Sequence, residues 1–143
     1  MSSTNFEAVT HTRYLKFTLG GAPYLLPLLS VKDVIENPER SSAAAPSPLF
    51  QGATQHEGAT IPVLDLRLKL GRRPSADGSS LIVCSFSAGY CIALRVDQVV
   101  SILLLDAQQY LPTGGTLLDP EELLSGREKR AAALVARSNG KAA

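Results

Sequence analysis

Residues 80–105, "SLIVCSFSAGYCIALRVDQVVSILLL", constrain the fold more tightly than any other part of the chain. Aliphatic residues crowd this stretch on a two-residue period, the spacing at which an extended strand returns to one face. Tyr90, Ile92, Leu94 and Val96 share a face, with Cys91, Ala93 and Arg95 on the other. The "SAGY" step before them reads as the turn of a β-hairpin. Val96, Val99 and Ile102 then fall three residues apart, which breaks the alternation and marks a bend between two strands. A chain organised around such a block is predicted to be a sheet protein.

The flanking segments agree. "YLKFTL" alternates again, with Leu15, Phe17 and Leu19 inward and Tyr14, Lys16 and Thr18 outward. A Gly20-Gly21-Ala22-Pro23 turn leads to a second strand, which Pro27 ends or confines to a sheet edge. In "SVKDVIE" the residues Val31, Val34 and Ile35 suit either a short helical turn or an irregular strand. Residues 37–48 hold three prolines among Ser and Ala and read as a surface loop. Residues 1–12 read as a mobile polar lead-in, and 72–80 as an exposed connection. The clearest helix start is Asp119, a natural N-cap, with Pro120 at the first helical position and Glu122 three residues after the cap. Gly126 either ends that helix or lies within a longer one running through "REKRAAALVAR".

The stretch "IPVLDLRLKLG" sets a carboxylate between two leucines. Ile61 to Leu64 are apolar on both faces, as in a strand buried on two sides. If the strand continues, Asp65, Arg67 and Lys69 point outward. The preferred alternative stops it at Leu64 and starts one helical turn. Asp65 is then the N-cap, Gly71 the left-handed stop, and Lys69 a helix-spaced ion partner for Asp65. Asp65 has a structural role on this basis, with no catalytic role needed.

Few enzyme chemistries are available. The two histidines are His11, in the lead-in, and His56, which reads as lying in a surface loop beside Glu57. Adjacent strand residues point to opposite faces, so His56 and Glu57 do not converge on a substrate. Cys84 and Cys91 lack metal or redox spacing and are expected to face each other across the hairpin as small buried residues. No Gly-rich phosphate loop is present. Residues 126–143 carry five cations against one carboxylate, net +4, leaving −3 for the rest of the chain. The tail could meet nucleic acid or an acidic partner, but the body offers no positive face for phosphates, and a solvated helix end is the plainer account. "MSSTNFEAVTHTR" has no basic start followed by an apolar block, and no apolar run approaches the length of a bilayer span. A cytoplasmic binding module is expected, without metal, cofactor or small-molecule substrate.

Four segments, in order, resemble the CheW-like family of chemosensory coupling proteins: "YLLPLLSVKDVIE", "GATQHEGATIPVLDLRLKLG", "LRVDQVVSILLLDAQQ" and "LLDPEELL". The resemblance covers residues 13–125, with 126–143 as a basic C-terminal helix or tail. It implies a mainly β fold of two small intertwined SH3-like five-stranded barrels, followed by a C-terminal helix. It also implies an adaptor without catalysis, which links the helical cytoplasmic tip of a chemoreceptor to the regulatory domain of a CheA-type histidine kinase or to another CheW-like protein. Carried over by position, Val31 and Asp33 match a Val and a Glu associated with partner binding, with Val34 beside them. Val99 and Ile102 match the apolar pair at the groove between barrels. Without the resemblance, Val31, Val99 and Ile102 read as plain core.

Two departures from the family pattern bear on partners. Where the family has Asn-Leu-Arg-Gly, this chain has Gln55-His56-Glu57-Gly58, so Glu57 reverses a charge. Few residues separate "LLLDAQQYLP" from "TLLDPEELL", which implies a missing strand and one incomplete barrel. Glu57 implies a changed partner or the loss of one of the usual two, and together the departures predict an adaptor directed at receptors, with kinase coupling weakened or lost.

Overall fold

The computed structural model describes residues 12–36, 50–74, 79–105 and 115–142. Its strands are β1 (Thr12–Leu19), β2 (Ala22–Pro27), β3 (Val31–Glu36), β4 (Gly52–His56), β5 (Ala59–Asp65), β6 (Ser80–Ser85), β7 (Cys91–Val96), β8 (Gln98–Leu105) and β9 (Thr116–Leu117). The helices are α1 (Leu66–Lys69), α2 (Pro120–Leu123) and α3 (Gly126–Ala142), and a single 3-10 turn, Leu28–Ser30, joins β2 to β3. The chain is mainly β, in two sheets with a C-terminal helix. One sheet runs β3-β6-β7-β5-β4 and the other β8-β1-β2-β9. The segment from 106 to 114, where a strand is expected to be missing, lies outside the described residues.

Alternation sets the layers. Leu15, Phe17 and Leu19 of β1 are buried while Tyr14, Lys16 and Thr18 between them are half-exposed. The inward set joins Leu26, Ile82, Cys84, Ile92, Leu94 and Val96 in one large core shared by both sheets. The opposite face of the five-stranded sheet is also apolar: Ile61, Val63, Leu81, Val83 and Ala93 form a second, smaller core. Burial on both faces explains the unbroken aliphatic runs of β5 and β6.

The β1–β2 turn takes φ values of 57° at Gly20 and 82° at Gly21. Positive φ at both central residues gives a two-residue turn whose twist matches the strands, and glycine adopts it without a Cβ penalty. Between β7 and β8 only Asp97 intervenes, at the bend the three-residue spacing marks.

"SVKDVIE" is a strand. Its register against β6 passes from Val31↔Cys84 to Asp33↔Val83, so Lys32 is an extra residue. This bulge returns Val31 and Val34 to the same face despite their helix-like spacing.

Near the C-terminus, α2 is short, with the Asp119 side chain accepting from Glu121 N. Gly126 neither ends that helix nor lies inside it. It opens α3, whose cap is Ser125: Ser125 Oγ accepts from Glu128 N at 3.2 Å, and Glu128 Oε1 accepts from Ser125 N at 2.8 Å. This reciprocal capping box satisfies two backbone donors at the helix start. The helix then lays Ala132, Val135 and Ala136 toward β5 and β7.

Two expectations about pairing are corrected. Lys69 bonds Glu128 Oε1 at 2.7 Å instead of Asp65, because α1 is one turn long and α3 brings a carboxylate over it. Cys84 pairs with Ile92 and Ser85 with Cys91, so the two thiols are offset by one residue on neighbouring strands. That offset sends them to opposite faces: Cys84 enters the large core and Cys91 packs on the small one.

Candidate partner-binding surface

The Asp-Leu-Arg motif builds the joint on which the candidate surfaces rest. Asp65 ends β5 and caps α1, its Oδ1 accepting from Arg67 N at 3.0 Å. Gly71, with φ +70°, lies just past that turn, where Arg72 N donates to Arg67 O. The Arg67 side chain is only 8% exposed and lies between two carboxylates. It donates Nε to Asp65 Oδ1 and Nη2 to Asp65 Oδ2, both at 2.9 Å, and Nη1 to Asp97 Oδ1 at 3.1 Å. Asp97 Oδ2 in turn accepts from Gly20 N at 2.7 Å. One guanidinium therefore ties the β5–α1 corner of one sheet to the β1–β2 turn of the other. The Asp65 hydrogen bond, chiefly, holds the Arg67 pKa above its ordinary value. Among the described residues every buried side-chain nitrogen and oxygen has a hydrogen-bond partner, so this charge cluster is fully connected.

On that frame the candidate binding residues fall into two groups. In the first, β8 pairs with β1 through Leu15↔Ile102, Lys16↔Ser101 and Phe17↔Val99, leaving Val100 as the extra residue of a bulge. Val99 and Ile102 thus share the core-facing side of β8, as Val31 and Val34 share the core-facing side of β3. Val31, Val34 and Val99 are half-buried and pack against the large core. Ile102 differs: it remains 60% exposed, and the bulge residue Val100 is 51% exposed. β8 is an edge strand among the described residues, so this apolar step sits at the rim of its sheet.

The second group lies where the edges of the five-stranded sheet approach each other. β3 and β4 stand at opposite ends of its strand order, yet His56 Nε2 lies 2.8 Å from Asp33 Oδ2. His56 is therefore no surface-loop residue. It ends β4, its side chain is 9% exposed, and it closes the sheet toward a barrel. The Asp33 carboxyl is held below its ordinary range, first by the His56 hydrogen bond and then by Val34 N. Glu57 follows in the β4–β5 turn with φ +51°, exposed, its carboxylate 3.7 Å from Lys32 Nζ. An open cleft of about 240 Å³ lies beside this seam, lined by Lys32, His56 and Glu57 on one side and Ala132 and Ala136 of α3 on another.

Catalytic geometry does not emerge from these contacts. Among the described residues no three His, Cys, Asp or Glu side chains group to hold a metal. Burial pushes the Cys84 thiol up to about 12, the opposite of an activated nucleophile. Of the described helices, none is long and apolar enough to cross a membrane. Sequence reasoning missed Arg67 and Asp97 as partners, since 30 residues separate them. It also missed the Ser125-x-x-Glu128 box, which the residue pattern does display.

Comparison with known proteins agrees with this architecture. Residues 13–130 match the CheW-like domain. The chain is 27% identical over 100 residues to the chemotaxis protein CheW of Klebsiella aerogenes, covering 69% of this chain and 60% of that protein's length. It also superposes on the scaffolding protein TtCheW of Thermoanaerobacter tengcongensis with a TM-score of 0.58 and 26% identity, covering 68% of this chain and 67% of the other. The chain belongs to the CheW-like domain family.

Proposed function

We propose that this protein is a non-catalytic cytoplasmic adaptor of a bacterial chemosensory system. It binds the helical hairpin at the cytoplasmic tip of a chemoreceptor and couples only weakly to a CheA-type histidine kinase. One observation carries the receptor half: Ile102 lies on the core-facing side of an edge strand yet is 60% exposed, beside half-buried Val99. An apolar step of this kind suits the apolar stripe of a partner helix. The kinase half rests on Glu57, exposed on its turn where the family carries an arginine. If that arginine meets a partner carboxylate in other members, the same contact here sets two like charges against each other. Lys32, 3.7 Å from Glu57, offsets part of that charge and favours a second reading, a fully competent coupling protein.

Calorimetric titration of the full chain against a soluble receptor tip and, separately, a kinase regulatory domain distinguishes these readings. The tip binds and the kinase domain binds weakly under the first; both bind tightly under the second. Ile102→Asp removes apolar contact contributing about 1–2 kcal/mol and buries a charge, so receptor affinity falls at least roughly tenfold. Unchanged affinity in Ile102→Asp removes β8 from the interface. Glu57→Arg is expected to raise kinase affinity while leaving receptor affinity unaltered.

A further inference from the structure

We propose that the outward face of α3 is a second docking surface, shaped for an acidic α-helix of a partner protein. Between residues 127 and 137 the exposed positions of this helix are Arg127, Arg130, Leu134 and Arg137, and no others. Spacings of three, four and three put them on one face, over a rise of about 15 Å. The one carboxylate in the helix, Glu128, is turned inward and buried, where it accepts from Ser125 N and Lys69 Nζ. Among the described residues, no carboxylate stands within 4.0 Å of Arg127, Arg130 or Arg137.

This placement works against the helix that carries it. Arg127 and Arg130 stand near the start of α3, at the positive end of its dipole, and like charges three residues apart repel. The contacts that anchor α3 do not involve them: Ala132, Glu128 and the Ser125 cap hold the helix on its other sides. Local choices that oppose local stability are expected at functional positions.

The chemistry of the face selects the partner. Against nucleic acid, the rest of the chain is net negative, and Leu134, 59% exposed at the centre of the stripe, has no phosphate to meet. A membrane surface requires a broad apolar face, and that side of α3 is engaged with β5. A helix bearing carboxylates at three- and four-residue spacing around an apolar residue satisfies both features. Guanidinium forks match carboxylates in a bidentate geometry, and Leu134 supplies a central apolar anchor. The surface is on α3, so it stands or falls independently of the β8 interface.

The test titrates the full chain into a fluorescent synthetic helical peptide carrying Glu at three- and four-residue intervals around leucine. Binding is expected, with at least roughly tenfold weakening when salt rises from about 50 to 300 mM, as the Debye length shrinks. Arg130→Ala/Arg137→Ala, at exposed sites where alanine favours helix, is expected to weaken it at least tenfold with unchanged circular dichroism. A peptide with Gln for Glu is expected to bind as poorly as the double variant does. The charge-swapped pair, Arg130→Glu/Arg137→Glu with a Lys-bearing peptide, should recover binding. The proposal is overturned by absence of binding, by equal binding of the Gln peptide or of either variant, by failed charge-swap recovery, or by tighter binding to duplex DNA or phosphatidylserine vesicles.

Discussion

Replacing Arg67 by alanine removes the cation from between Asp65 and Asp97, whose side chains are 9% and 5% exposed. Three charge-assisted hydrogen bonds of 2.9–3.1 Å disappear together. Asp65 keeps Arg67 N as a donor and Asp97 keeps Gly20 N, so neither carboxylate is wholly abandoned. Both nevertheless stay buried without the guanidinium that bridges them, although Arg95 still acts on Asp65 electrostatically. Breaking a buried pair by deleting one partner costs about 3–5 kcal/mol, and with two carboxylates affected we expect about 4 kcal/mol. That is a large share of the roughly 5–15 kcal/mol that holds a domain folded. At a urea dependence of about 2 kcal/mol per molar, the unfolding midpoint falls by about 2 M. Arg67→Lys keeps the charge but loses the planar fork, so its midpoint should fall between parent and Arg67→Ala. Urea titration followed by circular dichroism and tyrosine fluorescence reads both, since the chain has no tryptophan. A midpoint for Arg67→Ala within about 0.5 M of the parent would refute the view that this residue clamps the two sheets.

Acid should unfold the protein through carboxylates whose folded pKa values are depressed. Asp33 is held low chiefly by His56; for Glu128 burial is the largest influence and raises the pKa, but Lys69 and Ser125 together outweigh it. A depressed folded pKa stabilises above the unfolded value, 3.8 for Asp33 and 4.5 for Glu128, and that stability is lost as pH falls through the folded one. Thermal melts from pH 7 to 2 should therefore show Tm falling at acid pH, with a shallower fall in Asp33→Asn; parallel acid limbs would count against the His56 contact. Iodoacetamide at neutral pH should alkylate half-buried Cys91 alone, and Cys84 only after denaturation, as mass spectrometry would record. Gly71→Ala should lower stability by about 1 kcal/mol through backbone strain alone, since φ is +70° and nothing lies within 4 Å of the added Cβ. Ser125→Ala should cost about the same by uncapping α3, and in either variant an unshifted urea midpoint would contradict the local geometry.

Much of the fold is legible in the sequence where side-chain period alone decides it. The face shared by Tyr90, Ile92, Leu94 and Val96 is such a case, and so are Leu15, Phe17 and Leu19 of β1. Three-residue spacings are harder to read, because a bulge in a strand mimics a helical step. Val31/Val34 and Val99/Ile102 both owe their common face to one inserted residue, Lys32 or Val100, which no local pattern announces. Long-range pairings were out of reach for a related reason. Asp65–Lys69 is the nearest helical match, but Lys69 reaches Glu128, 59 residues away, once α3 folds over α1. His56 looks like a loop residue until the curled sheet brings Asp33 to it from the far edge. The opposite orientation of Cys84 and Cys91 follows from hairpin register, which the turn fixes and composition does not.

The central claim is that an adaptor of two joined β-sheets grips a partner helix with the exposed apolar rim of β8. Nuclear magnetic resonance of the labelled full chain, titrated with a receptor-tip helical hairpin, reads that claim residue by residue. The account predicts amide shifts concentrated at Val99, Val100, Ser101 and Ile102, with α3 unperturbed. Shifts confined to other faces of the protein, or none at saturating hairpin, would contradict it.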